Sequence, residues 1–306
     1  MKKFFILLLA VIALCGCGKN LLEDEIYTEV YYTDIQYGIS DRQNLSIWRV
    51  TDSQVWGEAP VPVVVFIHGG GWNNGDKKDW DVRKASVFAS HGIMSVSLNY
   101  RLSPYPCRLD DDTRIKHPAH VQDAARAVKW IHDYIAEFGG DAGRITVVGH
   151  SAGAQIVSLL ATDEKYLKEV GLDLSDLDGA VALDGGAYMT LSPMLFAETN
   201  AYHAELKSCY LNAFGSQTDD HIDACPYYHV ASGKHIPPFL LVYQRNDEYR
   251  AIPNKAFANR LTDNGIRVET CEVSHSDHNS IFESLRTYND SEGITKRVIG
   301  FVSRPD

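Results

Sequence analysis

From residue 63 to residue 243 the chain repeats one hydrophobic pattern: a short, mostly apolar run, then a longer stretch of mixed polarity. The runs at residues 63–67, 93–98, 145–148, 180–183 and 239–243 are built mostly from Val, Ile, Leu, Phe and Ala, with Ser95, Ser97 and Thr146 the polar exceptions. Strands of that kind must be covered on both faces, as in a parallel sheet. Residues 27–37 and 44–50 mix Tyr, Val and Ile with polar positions and read as a hairpin with one wet face. Residues 267–273 alternate more strictly and fit a strand at the sheet edge. Between these runs, residues 120–138 bring Val121, Ala124, Ala125, Val128, Ile131, Ile135 and Phe138 onto one stripe of an amphipathic helix. Residues 152–161 and 253–263 also read as helices. The alternation predicts an α/β fold: a mostly parallel central sheet, helices on both faces, and antiparallel strands at the N-terminus. The longest irregular stretch, residues 188–235, falls between two strands and carries many aromatics. A connection of that length predicts a small cap insertion that walls a pocket.

Composition narrows the picture. With 306 residues, 45% of them hydrophobic, the chain can bury one large core. Lys+Arg 29 against Asp+Glu 40 gives a formal charge of -11, which argues against nucleic acid or an anionic membrane surface as the partner. The first residues are set apart from the fold. Lys2 and Lys3 precede an apolar run at 4–14 that is too short to span a bilayer. Leu14-Cys15-Gly16-Cys17 follows and resembles the lipobox of bacterial lipoproteins. That resemblance implies a signal peptide at 1–16, a diacylated Cys17 as the mature N-terminus and a polar tether at 17–26. Gly18 after it implies an address in the cell envelope, at the outer membrane rather than the inner, facing the periplasm or the surface, with membrane contact only through the lipid. Cys107, Cys209, Cys225 and Cys271 would then lie where disulfides form. Cys209 with Cys225, which closes a short loop inside the insertion, is the favoured of the possible pairs, against four free thiols. No Cys or His spacing suggests a metal.

Two motifs carry chemistry. Gly149-His150-Ser151-Ala152-Gly153 stands directly after one buried strand and before a helix. In that context Gly-x-Ser-x-Gly is a nucleophile elbow, which lifts the serine hydroxyl above a helix N-terminus. His68-Gly69-Gly70-Gly71-Trp72 follows another buried strand. Acyl transfer puts negative charge on the carbonyl oxygen, so N–H donors must already face that point. Gly70 and Gly71, joined by Ala152 beside the serine, are the candidate donors. His68 is read as a brace for the glycine loop, His150 as filling the variable place of the elbow, and Asp123 as a holder of local structure.

In this order the motifs resemble the hormone-sensitive-lipase-like and kynurenine-formamidase-like branches of the α/β-hydrolase superfamily. Gly75-Asp76-Lys77, Asn99-Tyr100-Arg101-Leu102, Gly140-Asp141 and Pro237-Pro238-Phe239-Leu240 add to the likeness, which covers roughly residues 61–282. It implies one catalytic domain over 27–306 and a Ser-acid-His triad in that chain order. The acid is expected just past the strand 239–243, at Asp247, with Glu248 as the alternative. The base is expected at His278, with His275 as the alternative. Asp184, which ends the strand before the insertion, is read as a supporting residue at most. Trp72 and Tyr188 are candidate pocket walls. The implied activity is hydrolysis of a small-molecule carboxylic ester without a cofactor. Short-chain or aryl esters are expected, with acyl groups on carbohydrate among the candidates. Arylformamidase or amidase action is the alternative reaction, and a non-catalytic binding module the alternative of another class.

Overall fold

The computed structural model describes residues 30–49, 59–189 and 201–304. The expected signal peptide, Cys17 and the tether lie outside the described residues. Eight strands form one sheet: β1 (Val30–Gln36), β2 (Asn44–Arg49), β3 (Val61–Ile67), β4 (Met94–Leu98), β5 (Gly140–His150), β6 (Gly179–Leu183), β7 (Phe239–Gln244) and β8 (Val268–Val273). Their order in space is β1-β2-β4-β3-β5-β6-β7-β8. β2 pairs antiparallel with β1 and β4, and every pair from β4 onward is parallel.

The helices are α1 (Val82–Ala89), α2 (Ala119–Tyr134), α3 (Ala152–Leu160), α4 (Glu164–Lys168), α5 (Ala201–Phe214), α6 (Thr218–Asp223), α7 (Pro226–His229), α8 (Glu248–Asp263), α9 (His278–Glu283) and α10 (Ile294–Val302). They cover both faces, as the unbroken runs require. Val63, Val65 and Ile67 of β3 join the core under α2, α3 and α8, whereas Val64 and Phe66 join the core under α1, α9 and α10. All of β3 is buried, and each such side chain contributes about 2 kcal/mol on leaving water.

Three elements differ from the sequence reading. The described part of the insertion holds three helices, α5 to α7, which the sequence pattern did not reveal because their apolar residues do not gather into one stripe. α8 starts at Glu248 rather than at Pro253, since Asp247 caps it by accepting from Tyr249 N–H at 2.9 Å. β5 begins five residues early, at Gly140, because residues 141–144 are only partly buried or exposed and break the apolar run. No helix among the described residues is long and apolar enough to cross a membrane.

Candidate active site

The site forms at the C-terminal ends of β3, β5 and β6, where an open parallel sheet leaves a crevice. Ser151 sits between β5 and α3 with φ 56 and ψ -115, a strained conformation that turns its side chain out of the sheet. The strain is kept by crowding: a Cβ on Gly153 would stand 2.1 Å from Ile67 O, so only glycine lets α3 approach β3. β6 lies beside β5, with His150 opposite Leu183, and Ser151 N–H donates to Leu183 O at 2.9 Å. Asp184 is the first residue after β6.

His278 begins α9, whose N-cap Asp277 accepts from Asn279 and Ser280 N–H. His278 Nε2 lies 3.0 Å from Ser151 Oγ, and His278 Nδ1 lies 2.6 Å from Asp184 Oδ2. These contacts define a Ser151–His278–Asp184 relay. The acid is therefore Asp184, not Asp247. Asp247 is spent on capping α8, and neither it nor Glu248 has a contact with His278 among the described residues. The backbone explains the exchange: β6 is the immediate neighbour of the nucleophile strand, whereas β7 stands one strand further out. His275 is exposed, in a loop whose N–H groups donate to Glu292.

Asp184 is fully buried and intensively held. Gln244 N–H donates to Oδ1 at 3.1 Å and Gln244 Nε2 to Oδ2 at 2.8 Å. Arg250 Nη1 donates to Asp184 O at 2.9 Å, and its Nε lies 3.5 Å from Oδ2. Burial opposes the charge, but the hydrogen bond with His278, the Arg250 guanidinium and the Gln244 N–H together hold the carboxyl below its usual value. His150 has a role that its variable place in the elbow does not reveal. Its Nε2 donates to His278 O at 2.8 Å, and its ring lies between His278 and Phe282. Burial lowers His150 to about 3, so the ring is a neutral donor that fixes the base's backbone.

The glycine loop meets the serine from the β3 side. Gly70, Gly71 and Ala152 border the cleft, and none of their N–H groups has a hydrogen-bond acceptor among the described residues. Gly70 has φ 102, and a Cβ there would meet Asn74 O at 2.4 Å. His68 braces this loop. Its Nδ1 donates to Gly69 O at 2.7 Å, and its Nε2 accepts from Arg42 Nη2 at 3.1 Å. Burial lowers His68 to about 4, consistent with that neutral tautomer. Arg42, on the β1–β2 turn, also donates to Gly75 O and Tyr100 O, and Asn99 bonds Asp76 and Lys77 N–H. The two short sequence stretches after β3 and β4 are thus one interlocked brace. Asp123 holds Arg101 and Arg126 and accepts from Gln43, a structural role.

Trp72 borders the cleft but is only 4% exposed. Its Nε1 donates to Gln155 at 3.0 Å, and its ring packs edge-on against Tyr210 and Phe214 of α5, so it is a post that joins loop to cap. Tyr188 is no pocket wall. The turn at Gly185 and Gly186 sends it into the core, stacked 4.7 Å from Phe257, while Gly186 and Ala187 face the cleft. Among the described residues, none of Cys107, Cys209, Cys225 and Cys271 forms a disulfide. Cys225 is buried, and the space around Cys209 Sγ is shared with Gly71 and Asn73, so the expected Cys209–Cys225 pair is not formed. Asp163, Asp223 and His229 have the mutual spacing of metal ligands, but Lys165 pairs with both carboxylates and none of the three lines the cleft.

Strand order and elbow define an α/β-hydrolase fold, and the Ser151–His278–Asp184 contacts have the geometry of a serine nucleophile, base and acid. Comparison with known proteins agrees. The carboxylesterase family model matches residues 41–176. The chain is 31% identical to the probable carboxylic ester hydrolase LipM of Mycobacterium tuberculosis, over 70% of this chain and 47% of that one. It is 30% identical to esterase LipQ of the same organism, over 80% of this chain and 56% of that one. The chain thus spans about half the length of these curated relatives. The crystal structure of esterase B from Lactobacillus Rhamnosis superposes with a TM-score of 0.68 at 20% identity, covering 89% of this chain and 85% of that one.

Proposed function

We propose that the protein is a serine esterase that cleaves carboxylic esters of small acyl groups, tethered in a bacterial envelope by a lipid on Cys17. The observation that carries the esterase reading is the unbroken contact from Asp184 through His278 to Ser151, beside N–H groups left without acceptors. Ser151 Oγ attacks the carbonyl carbon while His278 Nε2 takes its proton. Asp184 holds the imidazole and stabilises its charged form, and the N–H groups of Gly70, Gly71 and Ala152 receive the oxyanion. His278 then protonates the leaving alcohol. Water repeats the sequence, and the acid departs with Ser151 restored. A full relay of this kind also speaks against a purely adhesive role.

Trp72, Ala187, Leu206 and Tyr210 give the cleft that holds Ser151 apolar lining, which supports the reading that it takes short acyl groups. Ser151→Ala should lower ester turnover by about four orders of magnitude or more with the fold intact. A mutant that kept a tenth of wild-type turnover on 4-nitrophenyl acetate would sink the nucleophile assignment. A rate that keeps rising from acetate to long acyl chains would overturn the short-acyl reading. Support for the anchor is the Leu14-Cys15-Gly16-Cys17 sequence. Cys17→Ser should abolish incorporation of labelled fatty acid; a wild type that takes up no label refutes the anchor.

A further inference from the structure

Proton transfer decides where the alcohol half of the ester lies. The proton on His278 Nε2 passes to the leaving oxygen, so that oxygen sits against the imidazole while the carbonyl oxygen faces the glycine loop. The alcohol must therefore extend along the part of the cleft that continues past His278. One wall there is α9 and the turn after it, with Asn279, Glu283 and Arg286. The facing wall is the capped turn that holds Lys78 and Asp79.

The two walls are locked together from behind. Lys84 Nζ bonds Asp79 O at 2.9 Å and Glu283 Oε1 at 3.1 Å, and lies 4.0 Å over the ring of Phe282. Arg286 pairs with Asp81 and Glu283. Glu283 and Arg286 are thus neutralised by partners within the protein, which leaves this arm polar without a strong field of either sign. The side chains of Lys78 and Asn279 form no hydrogen bond or ion pair among the described residues. Both side chains are exposed, so an alkyl or aryl alcohol beside them would displace their water without replacing its hydrogen bonds, whereas a made hydrogen bond contributes about 0.5–1.5 kcal/mol. Lys78 stands beside Asp79, and Glu283 beside Arg286, so a charged alcohol would find no net charge of either sign in this arm. Neutral hydroxyls, which donate and accept, fit both. Space is ample: the whole cleft measures about 1690 Å³, above the roughly 300–1,000 Å³ of a typical small-molecule site.

We propose that this arm is an alcohol subsite for a polyhydroxylated ring, so that the substrates are acyl esters of sugars; the proposal rests on the esterase reading above. Lys78 and Asn279 are its specificity-determining residues, through hydrogen bonds to hydroxyls that flank the ester.

The test compares two acetates of secondary ring alcohols, a mono-O-acetyl methyl glucoside and cyclohexyl acetate, with the full chain in detergent. The kcat/KM ratio should favour the sugar by about tenfold or more, as one or two net hydrogen bonds give. Because Asn279 adjoins His278, the ratio rather than either rate is read in the variants. Asn279→Ala and Lys78→Ala should each lower it by about fivefold, mainly through KM for the sugar. A wild-type ratio near one, or a ratio that neither substitution moves, overturns the subsite while leaving the esterase in place. A wild type that hydrolyses neither acetate nor 4-nitrophenyl acetate fails at the esterase reading, and the subsite falls with it.

Discussion

Replacing the carboxylate of Asp184 by an amide isolates the least expected feature of the site. Asp184 receives donors on both oxygens: Gln244 N–H on Oδ1, and His278 Nδ1 and Gln244 Nε2 on Oδ2, with Arg250 Nε beside the latter. In Asp184→Asn one oxygen becomes NH₂, and either orientation sets a donor against a donor. Facing Oδ1's partner it repels Gln244 N–H; facing Oδ2's partners it turns the imidazole to the wrong tautomer. Loss of the acid in a triad typically lowers kcat by about 10⁴, which is about 5.4 kcal/mol of barrier. Breaking one side of a buried charged network costs stability as well, on the order of 3 kcal/mol. The control is Asp247→Asn. Asparagine caps a helix as well as aspartate does, so both stability and kcat should stay within about twofold. The assay is kcat and KM on 4-nitrophenyl acetate, with circular dichroism and a denaturation midpoint for each variant. If Asp247→Asn loses a thousandfold while a folded Asp184→Asn retains most turnover, the acid lies after β7 and the relay described here is wrong.

The braces around the site make further predictions. His278→Ala should match the serine mutant, whereas His275→Ala should keep most activity; exchanged outcomes would misplace the base. Arg42→Ala removes the donor to His68, Gly75 and Tyr100, so the glycine loop should drift and kcat fall by about tenfold or more with the fold retained. Unchanged kcat would show that the loop holds itself. Stability should fall in mild acid. Burial lowers His68 to about 4 and His120 and His150 to about 3, so the folded chain leaves them neutral where the unfolded chain protonates them. The unfolded state binds more protons between those values and about 6.5, hence stability rises with pH across that window. At pH 5 each histidine costs about 2 kcal/mol relative to pH 7.5. Urea midpoints that coincide at the two pH values would refute this.

The sequence by itself determined the sheet, the nucleophile and the glycine loop. Each is a local matter: an unbroken apolar run demands burial on both faces, and a strained elbow or a left-handed loop demands small residues at fixed spacing. Ser151, Gly70, Gly71 and Ala152 could be picked out for that reason, whereas His278 was expected only through the family likeness. The acid was not local. Asp184 and Asp247 both follow a buried strand within three residues, and nothing in the adjacent sequence separates them. Only the sheet order, which sets β6 directly beside β5, and the capping of α8 by Asp247 decide which carboxylate reaches the imidazole. The same holds for His150, Gln244, Arg250 and Arg42, whose partners lie 26 to 128 residues away along the chain. Tyr188 shows the converse: an aromatic beside the site in sequence turns into the core because two glycines redirect the chain before it. Hydrophobic period and backbone strain are written in adjacent residues, whereas hydrogen bonds to a charged group depend on which strand ends the fold brings side by side.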